Sequence, residues 1–236
     1  MYHACQLAMS FDADALQADL RTALDRAAWT PHFVTRNYEG DWSAIPLRSV
    51  GGRPDHIYSD PSVAPEDYLD TPMLADCPYF QQVLASFACP VTSARLLKLA
   101  PGSRIKEHVD HDLCLDKGVV RLHIPVTTNP LVEIHIEDQR VIMAEGECWY
   151  IDATLRHRLA NLGETDRVHI VFDCVVDDWL RRHLRSAGLQ PRPVGFLEAR
   201  GIRPQDLDKV IAAFRAMGTE AGLAMAEELE AARGLN

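Results

Sequence analysis

The stretch from about residue 91 to 175 constrains the fold most. Short apolar runs at 93–99, 104–109, 119–127, 131–137, 140–144, 147–152, 156–161 and 167–174 alternate there with turn residues. Pro101-Gly102, Asn129-Pro130, Glu145-Gly146 and Leu162-Gly163 punctuate them. Many short strands separated by such turn signals predict a sandwich or barrel. The chain therefore reads as mainly β, with helices on its flanks.

Those helices have their own signatures. Leu16, Leu20, Leu24 and Ala27 recur at helical spacing and predict a helix over 10–28, with Ser10 or Asp12 placed to cap it and Pro31 just beyond its end. Residues 32–72 keep no sustained period and read as loops and short strands. A second helix is predicted over 78–88, with Pro78 in its first turn and Phe80, Val83, Leu84 and Phe87 on its apolar side. The helices before the sheet would cover one of its faces. After 175, Val176, Leu180 and Leu184 predict a helix ending near Gly188, and Pro191 and Pro193 mark a break. Two further helices follow over 204–216, opening at Pro204, and 219–233, capped by Thr219. The expected organisation is a β domain over 1–187 and a helical extension over 188–236, the latter a candidate contact between two copies of the chain.

Composition closes several functional classes. A length of 236 residues fits one elaborated domain, and 47% hydrophobic content is ordinary for a globular core. The net charge of −10 argues against a nucleic-acid partner. No run of 18 apolar residues exists to span a membrane. Met1–Gln6 lacks the basic and then apolar pattern of a secretory leader. The six cysteines form no C-x-x-C pair and read as reduced thiols packed as small hydrophobes. A cytoplasmic location is the expectation.

The chemistry is carried by His108-Val109-Asp110 and, further on, His157. On a strand, residues i and i+2 face one side, so His108 and Asp110 can grip one ion while Val109 packs the other way. His157 would come from another strand. Two imidazoles and one carboxylate leave the remaining positions of a metal open, which suits Fe(II), O₂ and a co-substrate. His111 and Asp112 are alternative ligands, but as neighbours on a strand they would face opposite ways. His3, His32, His56, His135 and His183 read as ordinary surface or core histidines. Arg167 opens the run Arg167-Val168-His169-Ile170-Val171-Phe172-Asp173, with Arg167, His169 and Val171 on one face. An inward arginine is costly unless an anion pairs with it, and a bound dicarboxylate would be that anion. Arg121 and His123 repeat the pattern on another strand.

Together with Tyr38-Glu39-Gly40-Asp41-Trp42, Ile45-Pro46-Leu47-Arg48, Arg121-Leu122-His123-Ile124-Pro125 and Gly146-Glu147-Cys148-Trp149, these residues resemble the aspartyl/asparaginyl β-hydroxylase family of 2-oxoglutarate oxygenases, which also looks related to bacterial free-proline hydroxylases. The similar stretch runs from roughly Asn37 to Leu180. The resemblance implies a double-stranded β-helix, a jelly-roll or cupin-like core of two packed sheets. It implies iron on His108, Asp110 and His157, and 2-oxoglutarate with its distal carboxylate on Arg167 and with Arg121 and His123 in the same pocket. The implied reaction consumes O₂ and hydroxylates an unactivated C–H of an amino-acid side chain, free or within a peptide. Candidate substrate contacts are Arg48, Arg95, Trp149 and Arg156; an arginine near the mouth could take an α-carboxylate as a bidentate pair. Two other readings share the same triad: a zinc-dependent hydrolase, which would need a general base beside the metal, and a sensor that binds 2-oxoglutarate without turnover.

Overall fold

The computed structural model describes residues 3–60, 62–110, 112–189 and 201–231. His111, Pro191, Pro193 and residues 232–233 lie outside them. The strands are β1 (Ala4–Ser10), β2 (Thr30–Pro31), β3 (Tyr38–Glu39), β4 (Trp42–Val50), β5 (Tyr68–Asp70), β6 (Val91–Leu99), β7 (Arg104–His108), β8 (Val119–Thr127), β9 (Val132–Ile136), β10 (Gln139–Val141), β11 (Glu147–Ile151), β12 (His157–Asn161) and β13 (Arg167–Val175). The helices are α1 (Ala13–Arg26), α2 (Pro72–Ala75), α3 (Pro78–Ala85), α4 (Asp178–Ser186), α5 (Leu207–Ala216) and α6 (Glu220–Ala231).

A large sheet runs in the order β1-β11-β8-β13-β6-β4-β2, with β5 beside β4, and a small one in the order β10-β9-β12-β7-β3. All pairings are antiparallel. Successive strands from β6 to β9, and again from β10 to β13, alternate between the two sheets. That winding is a double-stranded β-helix.

The period of two along each strand sorts its side chains. On β13, Val168, Ile170, Phe172 and Cys174 join the main core, while Arg167, His169, Val171 and Asp173 face the small sheet. The core lies on the outer face of the large sheet, where Leu16 and Leu20 of α1, Phe80, Val83 and Leu84 of α3, and Leu180 and Leu184 of α4 cover it. Leu189 packs there too. The helices thus leave the inner face free for chemistry.

The start of α1 and the strand β4 depart from the sequence expectation. The helix predicted from residue 10 starts at Ala13, because Ser10 ends β1 and Asp12 caps the helix, its side chain accepting from the Ala15 N–H at 3.1 Å. Where loops and short strands were expected, β4 is a nine-residue strand. Pro46 sits in it at a register shift against β6, where a bulge removes the need for a ladder donor. The turn at Glu145-Gly146 is held by approach as well as conformation. Gly146 has φ 78°, and a Cβ there would lie 2.2 Å from the Phe11 carbonyl oxygen.

Helices α5 and α6 form a separate compact unit with a small core of Leu207, Ile211, Ala226 and Leu229. Thr219 Oγ accepts from the Gly222 N–H at 3.1 Å at the start of α6. Among the described residues, no helix is long and apolar enough to cross a membrane.

Candidate metal centre

His108 ends β7 and His157 opens β12, and the two are register partners across that pair. Their ring centroids are 4.3 Å apart. Asp110 follows in a loop pinned by its own N–H, which donates to the Ala153 carbonyl at 2.8 Å. One ligand atom from each of the three residues lies within 4.8 Å of the others. His108 Nδ1 is 2.8 Å from the Lys106 carbonyl oxygen, and His157 Nδ1 is 2.9 Å from that of Leu155. A carbonyl can only accept, so each Nδ1 carries the proton and each Nε2 presents a lone pair. Burial, the main influence on His157, lowers its pKa and keeps it neutral. This donor set, two imidazole nitrogens and one carboxylate, fits a divalent ion of the iron type, which these three residues would hold.

The triad lines a pocket between the two sheets. Trp42, Ile105, Ile134 and Leu159 supply apolar walls, and Arg121, His123 and Arg167 supply the polar ones. Arg167 is 2% exposed. Its Nη2 donates to His169 Nδ1 at 2.8 Å, and its Nε has no partner. Among the described residues no carboxylate pairs with it, and burial pulls its pKa down to about 9. Both ring nitrogens of His123 and the indole Nε1 of Trp42 are also buried without partners. Orphaned polar groups around one cavity call for a ligand that satisfies them.

Arg121 lines the same pocket, yet its guanidinium is committed within the protein. Nε and Nη2 donate to the two oxygens of Asp173 at 2.7 and 3.0 Å, and Nη1 donates to Asp110 Oδ2 at 2.8 Å. Burial alone would lower the Arg121 pKa, but the charges of Asp173 and Asp110 overcome it and raise it.

The four other candidates are not brought to the pocket wall. Arg48 pairs with Asp70 at 2.6 Å. Arg95 is buried against Asp173 and Ser93. Trp149 donates to Glu147 at 2.8 Å and packs beside Ile134, Ile136 and Ile151. Arg156 forks onto Glu137 at the surface. Sequence reasoning missed Trp42 as a wall and Asp173 as the partner of two arginines. A carboxylate inside an otherwise apolar strand was the signal for Asp173, since a buried charge requires a partner.

The chain is similar to several known proteins. At 32% identity over 174 residues it matches the L-proline cis-4-hydroxylase of Rhizobium meliloti (strain 1021), covering 73% of this chain and 60% of that protein. At 29% identity over 144 residues it matches L-proline cis-3-hydroxylase 1 of a Streptomyces species, covering 58% and 48% respectively. The chain thus spans about half to three fifths of the length of these relatives. Among solved structures, HygX from Streptomyces hygroscopicus with nickel and 2-oxoglutarate bound aligns with a TM-score of 0.47 at 12% identity, over 75% of this chain and 84% of that one. The model of the aspartyl/asparaginyl beta-hydroxylase family matches residues 10–176. That match takes in β2 to β13, the triad and Arg167, and by it the chain belongs to the aspartyl/asparaginyl β-hydroxylase family.

Proposed function

We propose that this chain is an Fe(II)- and 2-oxoglutarate-dependent hydroxylase acting on an unactivated C–H of an amino-acid side chain, free or within a peptide. The observation that carries the reading is Arg167: a buried guanidinium with no carboxylate partner among the described residues, in one cavity with the His-Asp-His triad. His108, Asp110 and His157 would hold the iron through two Nε2 atoms and one carboxylate oxygen. Arg167 would take the distal carboxylate of the co-substrate, and His123 would offer ring nitrogens beside it. When bound, iron with 2-oxoglutarate and O₂ supplies the oxidant for C–H hydroxylation, with succinate and CO₂ as co-products. The apolar walls would exclude water and hold the target carbon near the metal. No side chain has to act as a general base.

The two named relatives are proline hydroxylases, and a proline-like or Asp/Asn-like side chain is the substrate class we favour. A zinc hydrolase fits less well, because Asp110 is the sole carboxylate lining the pocket among the described residues and is already a ligand. The test is anaerobic addition of Fe(II) and 2-oxoglutarate, followed by a screen of free amino acids and short Asp/Asn peptides for succinate release. A visible charge-transfer band with substrate-dependent succinate supports the reading. A band without succinate under any substrate favours the sensor, and tight Zn(II) binding with no band favours the hydrolase.

A further inference from the structure

Beside the pocket, the inner face of the large sheet carries three charges, Arg95, Arg121 and Asp173, that lead to a fourth, Asp110, in the loop after β7. Asp173 on β13 is fully buried, and Arg95 on the adjacent β6 is 5% exposed. Asp173 Oδ2 accepts from Arg95 Nη1 at 3.1 Å and from Arg121 Nη2 at 3.0 Å, while its Oδ1 accepts from Arg121 Nε at 2.7 Å. Arg95 Nη1 also donates to Ser93 Oγ. Arg121 Nη1 reaches out of this cluster to Asp110 Oδ2 at 2.8 Å. The other oxygen of Asp110, Oδ1, lies toward His108 Nε2 at 3.8 Å. Neither Asp173 nor Arg95 lines the pocket.

The geometry explains why two buried residues outside the pocket matter to it. A guanidinium is a rigid plane, and a two-pronged bond to Asp173 fixes the orientation of that plane. Once it is fixed, the two N–H directions of Nη1 are fixed with it, and one of them ends on Asp110 Oδ2. Arg95 in turn holds the Asp173 carboxylate from its other side. Burial would push the Asp173 pKa up, but the charges of Arg121 and Arg95 overcome it and hold it well below the usual carboxylate range. Asp173 is therefore charged at neutral pH.

We infer that Asp173 and Arg95 are positioning residues: acting through Arg121, they occupy one oxygen of Asp110 so that it offers only Oδ1 to a metal. The inference rests on the proposed triad. A carboxylate free to swing could close on the ion with both oxygens, taking a position that the co-substrate or O₂ needs. Tying back Oδ2 prevents this without adding a fourth protein ligand.

Co(II) alone, titrated into the full chain without co-substrate, tests this by affinity and by the intensity of its visible bands, which report coordination number. Asp173→Asn and Arg121→Met are each expected to lower the band intensities, because a freed Asp110 that closes with both oxygens raises the coordination number, and to weaken Co(II) binding by roughly 10–100-fold, because the ligand is no longer held in place before the ion arrives. Because both act through one contact, the double variant should bind no more weakly than Arg121→Met alone. Wild-type Co(II) affinity and spectrum in Asp173→Asn, or losses that multiply in the double variant, would overturn the inference. Should Asp173→Asn not fold, Arg95→Gln/Asp173→Asn removes one charge of each sign and should show the same loss; wild-type binding there overturns the inference equally. Failure of the wild-type chain to take up Co(II) refutes the triad itself, and is thereby told apart from failure of the positioning role.

Discussion

Arg167 Nη2 donates to His169 Nδ1 at 2.8 Å, two residues apart on one face of β13. That bond fixes the imidazole tautomer, because the acceptor nitrogen cannot also carry the proton. It also aims the guanidinium into the pocket and leaves its Nε without a protein partner.

Replacing Arg167 by Met removes the proposed anchor while keeping bulk. The requirement for 2-oxoglutarate should rise by about 100-fold or more, the scale of losing one partner of a buried charge pair. Steady-state succinate assays that separate KM from kcat check this. An unchanged KM for 2-oxoglutarate would move the carboxylate site elsewhere.

Binding should also depend on pH through the same residue. Burial lowers the free Arg167 to about 9, and an anion beside it favours the charged form. Above that value the site must take up a proton to bind, so affinity should fall about tenfold per pH unit. Below it, this group contributes no slope. Titrations of 2-oxoglutarate at pH 7.5 and 9.5, followed by tryptophan fluorescence, measure it.

His108→Ala and Asp110→Ala each delete a proposed ligand from a set of three. Turnover of 2-oxoglutarate should disappear, and calorimetric binding of Mn(II) should weaken by at least about 10–100-fold, more than partners behind a ligand usually cost. Full activity in either variant would remove that residue from the triad.

Asp173→Asn should also destabilise the fold at neutral pH, by roughly 3–5 kcal/mol, because two guanidinium groups lose their shared buried anion. The carboxyl has a depressed folded-state pKa. Its stabilisation is therefore fully present above the unfolded value of about 4 and is lost as pH falls through the folded value, below the usual carboxylate range. Wild type and variant should melt far apart at pH 7 and converge only in strong acid. Thermal melts between pH 2 and 7 would reveal a gap that closes earlier, and such a gap would contradict the buried pair.

At the other end of the scale, Asp12→Ala removes the cap of α1. A loss of about 1 kcal/mol is expected, or roughly 2–4 °C in Tm for a chain of this size, with no change in metal binding. Scanning calorimetry resolves a shift of that size.

The sequence was most legible where apolar runs are bounded by turn residues or carry chemically marked side chains. The runs of 119–127 and 147–152 alternate against turn residues, and β8 and β11 stand there. The two-residue period of a strand pairs His108 with Asp110, yet β7 ends at His108 and it is the loop beyond, pinned by the Asp110 N–H, that brings the carboxylate back. By contrast, β4 is buried on both faces through most of its length, so it shows no alternation, and Pro46 and Arg48 argue locally against a strand. Arg48, Arg95 and Arg156 were unreadable for another reason. Each is paired by an acid that only the fold brings near: Asp70, Asp173 and Glu137. A lone arginine in a sequence does not disclose whether its anion is a ligand or the chain itself.

The alternation of strands between sheets has a bearing on biosynthesis. The three proposed ligands are complete once β12 has been made, but Arg167 begins β13, which must insert between β8 and β6. A growing chain halted before that strand would own the donors for iron and no anchor for the dicarboxylate. Its central sheet would also stand open at the gap between β8 and β6. The last strand of this barrel to leave the ribosome is thus the one that both seals the sheet and brings in Arg167.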